Sequence, residues 1–105
     1  MSECLFCKIV ARTIPAALVY EDDLVVAFDD INPQAPTHTL VIPRKHVTSV
    51  ADLQDSDVGL FGHLMLTGNK IAKLKGVADA GYRFVINTGA HGGQSVFHLH
   101  LHVLG

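Results

Sequence analysis

The sequence of 105 residues predicts an α+β fold: an antiparallel five-stranded sheet with one short and one long helix. Three observations carry this. Strand-like segments come in the order three strands, one long helix, two strands, with tight connections between neighbouring strands, which favours antiparallel pairing. One helical stripe is long and clear. The length and the 49% hydrophobic content suit one domain, residues 1–105, around a single core.

Taken in order, Leu5, Phe6, Ile9 and Val10 have helical spacing and Pro15 stops what begins there, so residues 5–12 read as a short helix. Leu18–Tyr20 and Leu24–Phe28 flank the acidic turn Glu21-Asp22-Asp23 and read as a hairpin. Asn32-Pro33 and Ala35-Pro36 mark a loop, followed by a short strand, Thr39–Ile42, that Pro43 ends. Phe61, Leu64, Met65, Gly68, Ile71 and Ala72 form the stripe of the long helix. Asp52 or Asp55 suits its start, Lys73 and Lys75 its last turn, and Gly76 its end. Gly62 and Gly68 weaken that helix, which points to close approach by another element or a second subunit. Tyr82–Thr88 and Val96–Leu104 complete the sheet, joined by the loop Gly89–Ser95.

The formal charge of −2 and the scattered Lys and Arg argue against binding a nucleic acid polymer. The first residues lack a basic start followed by an apolar run, so neither a signal peptide nor a membrane span is expected. With two cysteines, a disulfide framework is not expected, and the cytoplasm is the expected compartment.

The chemistry concentrates near the end of the chain. His98, His100 and His102 alternate with Leu99, Leu101 and Val103, directly after Gly92-Gly93-Gln94-Ser95. A strand puts alternate residues on one face, so the three imidazoles are expected to share a face opposite the aliphatic residues. Imidazole is nucleophile, proton carrier and metal ligand near neutral pH, and it is expensive to bury without partners. Cys4 and Cys7 form a Cys-x-x-Cys pair, which taken alone is a redox pair, half of a zinc site or two buried thiols. His63 and His91 suit an exposed helix position and a loop.

Three segments together resemble the histidine triad (HIT) family, and within it the Hint-type purine nucleoside phosphoramidases. They are Ala27-Phe28-Asp29-Asp30-Ile31-Asn32-Pro33-Gln34-Ala35-Pro36-Thr37-His38, then Val41-Ile42-Pro43-Arg44-Lys45-His46, and the stretch from Gly92 to Gly105. The resemblance implies nucleotidyl transfer through a covalent intermediate, with His100 as nucleophile on the α-phosphorus, an amine leaving, and water releasing a nucleoside monophosphate. It places His102, His38 and Ser95 beside the scissile bond, and Asn87, Gly93 and Gln94 on the phosphate side. Asp30 takes the role of the ribose-binding acid, for which a carboxylate suits a vicinal diol. Leu5, Phe6, Ile9, Phe28 and Ile31 align with the apolar pocket for a purine base. Asp29 stands where animal relatives carry a histidine, a departure that bears on base preference. Several HIT proteins complete a zinc site from such cysteines and two histidines, which here are His46 and His98, so a structural zinc held by Cys4, Cys7, His46 and His98 is implied. A two-fold homodimer with one continuous sheet is implied as well.

Two other functions stand beside this one. A dinucleoside polyphosphate hydrolase of the Fhit-type branch fits Gln94-Ser95 and Leu104-Gly105 less well, and a nucleotide-binding adaptor with vestigial catalysis belongs to another class.

Overall fold

A computed structural model describes residues 4–105. Residues 1–3, part of the start considered above for a leader, lie outside the described residues. Helix α1 (Leu5–Val10) leads into strands β1 (Leu18–Glu21), β2 (Val25–Asp29) and β3 (His38–Pro43). Helix α2 (Val58–Leu74) follows, then β4 (Arg83–Val85) and β5 (Leu101–Leu104). All pairings are antiparallel, and the five strands lie in the order β1-β2-β3-β5-β4. The predicted class, strand count and helix count therefore stand.

The sheet has two faces of different character. Val25 and Ala27 of β2, Val41 of β3, and Leu101 and Val103 of β5 point to one side, where Leu64 and Ile71 of α2 close the main core. Val26 and Phe28, with Leu40 and Ile42, point to the other side, where Phe6 and Ile9 of short α1 pack on them with partly buried Val10, Ile14, Ala16 and Val96. The alternation of a half-covered strand produces this division. One face is sealed by a 17-residue helix; the other is left partly open. Thr67 joins the stripe on α2, fully buried with its hydroxyl donating to the His63 carbonyl at 2.7 Å.

The glycine argument holds for Gly68. A Cβ there would lie 2.7 Å from the Phe84 ring and 2.9 Å from a Leu101 methyl, so α2 approaches β4 and β5 too closely for a side chain. At Gly62 a Cβ would meet nothing within 4 Å in this chain. Gly76 ends α2 as expected. With φ of +76° it lets Val77 N–H reach the Ala72 carbonyl at 3.0 Å, closing the helix terminus.

Several boundaries move. The first helix stops at Val10 because Arg12 takes a left-handed conformation, φ 62°, and turns the chain. Neither Asp52 nor Asp55 caps α2: residues 50–57 first form two short 3₁₀ turns, and Asp57 precedes the helix while accepting the Gln54 N–H at 2.9 Å. Strand β3 runs one residue further at each end, from His38 to Pro43. Tyr82–Thr88 contracts to Arg83–Val85, and Val96–Leu104 contracts to Leu101–Leu104. Pro43 supplies the reason for the last change. Continuing the β3–β5 register beyond Val41↔Leu101 would set Pro43 opposite Leu99. A proline has no N–H for the ladder, so pairing ends and the Leu99 N–H goes instead to the Val47 carbonyl at 2.7 Å.

Candidate active site

His98 and His100 therefore lie just before the strand rather than in it, yet the alternation survives. Leu99 is in the helix-side core, while His98 and His100 are buried on the opposite side and half-buried His102 follows from β5. Burial without a charged partner demands hydrogen bonds, and these fix which ring nitrogen carries each proton. His100 Nδ1 donates to the His98 carbonyl at 2.8 Å, which leaves Nε2 with a lone pair. Burial lowers the basicity of His100, against the pull of that carbonyl and of Asp30, so the ring is neutral at pH 7. The edge of Phe6 closes on it, with ring centroids 5.1 Å apart.

A second chain of bonds sets the proton on His102. The Gln34 backbone N–H donates to His38 Nδ1 at 3.0 Å, so neutral His38 carries its proton on Nε2. That nitrogen lies 2.8 Å from His102 Nδ1, which must then accept, leaving the His102 proton on Nε2. Burial, and behind it the His100 and His38 rings, push the His102 pKa down to about 4. The pair His100 and His102, with centroids 4.9 Å apart, thus offers one bare nitrogen and one N–H. A nucleophile and a hydrogen-bond donor stand side by side.

These rings border a cleft of about 490 Å³ on the open face of the sheet. Leu5, Phe6, Ile9, Phe28 and Ile31 line it, together with Asp30 and Ser95. Ile31 is 90% exposed and forms part of the rim rather than of a packed wall. Ile14, Pro15, Ala16, Leu40 and Val96 also line the cleft; sequence reasoning missed them, and for Leu40 only its position in register beside Phe28 signals it. Asp30 donates its N–H to the His38 carbonyl at 2.9 Å and accepts the Asn32 N–H at Oδ1, 2.8 Å. Its Oδ2 lies 3.4 Å from His38 Nε2. Asp29 also borders the cleft, but its side chain turns away from it. Its carboxylate meets Thr39 and Lys75 on the helix side, so it does not stand in for a cleft histidine.

Three amides of the glycine loop are engaged within the loop itself. The N–H groups of Gly92, Gly93 and Gln94 bond back to Gly89, Ala90 and Gly89 within the loop. Gly93 takes φ +83°, which a side chain would resist. The buried Gln94 amide accepts the Gly89 N–H and donates to the Thr48 and Val96 carbonyls, at 2.7–3.1 Å. Asn87 Nδ2 donates to the Gly92 carbonyl at 2.8 Å. Gln94 and Asn87 thus brace the loop, and exposed Ser95 is presented at the cleft.

Behind the histidines, Cys4, Cys7, His46 and His98 converge, with one ligand atom from each and all four atoms within 4.8 Å of one another. His98 Nε2 donates to the Pro43 carbonyl at 2.8 Å, so its Nδ1 presents a lone pair to the cluster. Tetrahedral zinc with bonds of about 2.0–2.1 Å to nitrogen and 2.3 Å to sulfur needs N–N edges of about 3.3 Å and N–S edges of about 3.5 Å. His46 and His98 Nδ1 are 3.2 Å apart, and the Cys4–His98, Cys7–His46 and Cys7–His98 Sγ–Nδ1 separations are 3.3–3.6 Å. The donor set fits the metal in both chemistry and spacing. Asp30, His38 and His102 also converge within the same limit. There, however, His38 Nε2 holds the proton that Gln34 forces upon it, so that atom is not a ligand.

His63 has a role the sequence did not signal. Half-buried on α2, its Nε2 lies 2.7 Å from Asp22 Oδ2 and ties the helix to the β1–β2 turn.

A family model described as HIT domain matches residues 11–105. The purine nucleoside phosphoramidase of Escherichia coli K12 is 48% identical over 103 residues, 98% of this chain and 87% of that protein. Protein HitA of Neisseria gonorrhoeae is 50% identical over 105 residues, all of this chain and 97% of its own length. The crystal structure of a HIT family hydrolase from Legionella pneumophila superposes with a TM-score of 0.96 at 48% identity, covering 98% of this chain and 92% of that one. The chain belongs to the HIT family.

Proposed function

We propose that this protein is a hydrolase that cleaves the P–N bond of purine nucleoside 5′-phosphoramidates, or the mixed anhydride of aminoacyl-adenylate-like compounds, through a nucleotidyl-histidine. The single observation that carries this reading is His100: buried, neutral, and held at Nδ1 by the His98 carbonyl so that Nε2 is bare. The name of the Escherichia coli relative supports the bond class.

In the first step Nε2 of His100 attacks the α-phosphorus and the P–N bond breaks. The amine departs with a proton supplied by the Ser95 hydroxyl. The ring becomes cationic on attack, and its Nδ1–H, already bonded to the His98 carbonyl, stabilises that charge at no cost in reorganisation. Charge growing on the phosphoryl oxygens meets the N–H of His102. Water then attacks phosphorus and gives a proton back to the Ser95 oxygen, the P–Nε2 bond breaks with its electron pair returning to His100, and a nucleoside monophosphate leaves. Asp30 accepts from the ribose hydroxyls, and the apolar walls around Phe6 and Phe28 hold the base.

Zinc fits Cys4, Cys7, His46 and His98, and when bound it supplies structural cross-linking only. With four protein ligands there is no open coordination position, so it offers no catalytic water. The cluster joins the start of α1 to the segment after β3 and to His98, whose carbonyl orients the nucleophile. A homodimer built on α2 and the edge strand β4 completes the reading. β4 is the last strand of the sheet, paired on one side by β5 in this chain, and an open edge invites a second copy. Leu66 and Val58 of α2 are 63% and 72% exposed, which gives that helix apolar surface for a partner.

Four outcomes are expected. His100→Ala should lose at least about 1,000-fold in turnover of an adenosine phosphoramidate while still binding the monophosphate, as nucleophile removals do. Near-parental turnover would overturn the assignment, and faster cleavage of a diadenosine polyphosphate assayed alongside would favour the other enzymatic branch. The acid limb of kcat/KM should fall below about 6.5, the ordinary histidine pKa, because burial holds His100 and His102 neutral there. A limb at or above that value would contradict a neutral nucleophile. Metal analysis of protein purified without chelator should find about one zinc per chain; metal-free protein with both thiols readily alkylated would count against the site. Sedimentation at micromolar concentration should show a dimer, and a monomer would refute that part.

A further inference from the structure

We propose that Lys75 and Asp29, on the sheet face away from the cleft, are positioning residues that set Asp30 for the ribose of a bound nucleotide. The inference rests on the reading of Asp30 as the ribose acid and adds to it the device that aims this carboxylate.

The two aspartates are neighbours with opposite outlooks. Asp29 is the last residue of β2 and the last to pair with β3, opposite Thr39. Its side chain follows Val25 and Ala27 to the helix side, while that of Asp30 follows Val26 and Phe28 to the cleft. Thr39, fully buried, donates its hydroxyl to Asp29 Oδ1 at 2.8 Å. Lys75, the cap residue of α2, brings its ammonium to 2.9 Å from both carboxylate oxygens. Burial works against charge on Asp29, yet the bonds from Lys75 and Thr39 prevail and hold its carboxyl below the usual range. Asp29 is therefore ionised at neutral pH, and the contact with Lys75 is closed.

After Asp30 the chain runs into an exposed loop, with residues 31–34 all open to solvent. Asp30 keeps one backbone bond of its own, to the His38 carbonyl, and Asp29 is the last residue of the ladder before that loop. One trans peptide, about 3.8 Å between Cα atoms, links it to Asp30, so a shift at Asp29 passes to Asp30 with little loss. Asp29 borders the cleft, but its carboxylate is engaged by Thr39 and Lys75 on the helix side of the sheet. A partly exposed ion pair adds little to global stability, so the consequence of this pair is expected in aim rather than in folding.

The test is equilibrium binding of adenosine 5′-monophosphate and its 2′,3′-dideoxy counterpart, measured by calorimetry on the full chain. This reading is independent of turnover, so a failure of the proposed catalysis does not disturb it. The parent should prefer the ribonucleotide by about tenfold or more, as expected for hydrogen bonds to a charged acceptor. Asp30→Ala should abolish that preference. Lys75→Met should weaken ribonucleotide binding about 3- to 10-fold, leave the dideoxy Kd unchanged and keep Tm within a few degrees, as for a partial loss of such bonds. Lys75→Arg should restore the preference, and Lys75→Met added to Asp30→Ala should change nothing further. Equal weakening of both ligands by Lys75→Met, or no weakening of either, would overturn the positioning role while leaving Asp30 intact as the ribose acid. A parent without preference, or an Asp30→Ala variant that keeps it, would overturn the ribose reading and this inference with it.

Discussion

Pro43 is the constraint around which the candidate active site is arranged. Lacking an N–H, it ends the β3–β5 ladder and releases residues 96–100 from the sheet. Its carbonyl then takes the Nε2–H of His98 at 2.8 Å. That single bond settles two things at once. It turns the lone pair of His98 Nδ1 toward Cys4, Cys7 and His46, and it fixes the residue whose carbonyl holds His100 Nδ1. Val47, just beyond, receives the Leu99 N–H and keeps the released segment close to the core. Had the strand continued, the three imidazoles would share one face without the bend that gives each a different partner.

The proton positions explain why two clusters of similar composition differ in character. In the cysteine cluster, a backbone carbonyl accepts from the far side of His98 and leaves the near nitrogen bare. In the cluster of Asp30, His38 and His102, a backbone N–H donates to the far side of His38 and leaves the near nitrogen protonated. A carbonyl behind an imidazole makes a ligand of it; an N–H behind it makes a donor. The same rule applied to His100 gives a bare nitrogen, and carried through His38 to His102 it gives an N–H toward the cleft. Backbone groups therefore assign the chemistry of four histidines.

Much of this was legible in the sequence, and the remainder fails for identifiable reasons. The alternation of His98, His100 and His102 with aliphatic residues places both sets on their correct sides although two of the three histidines precede the strand. The stripe through Leu64, Gly68 and Ile71 locates α2, because one face of it is wholly buried. Strand ends were misplaced where apolar residues continue past the last hydrogen-bonded partner, as at Ile86 and Val96, since hydrophobicity does not report pairing. The bracing role of Gln94 depends on a contact across 46 residues, and the Gln34 N–H reaches His38 four residues on through a loop conformation that residue types alone do not specify. For His63 the sequence suggests an exposed helix position, because its partner Asp22 lies 41 residues away.

Register is what keeps the two tasks of β2 apart. Asp29 and Asp30 are chemically identical, so nothing local decides which one faces the cleft. A slip of one residue would turn Asp29 into the cleft and Asp30 toward Lys75, exchanging the carboxylate held by the lysine for the one that faces the cleft. The same slip would move Val25 and Ala27 out of the main core and drive Val26 and Phe28 into it, where Val41 and the underside of α2 leave no space for a phenyl ring. Phe28 would also lose its edge contact with Phe6, centroids 5.4 Å apart. The apolar residues of β2 thus do more than bury surface. By making the wrong register expensive on both faces together, they determine which of two adjacent aspartates turns its carboxylate to the cleft.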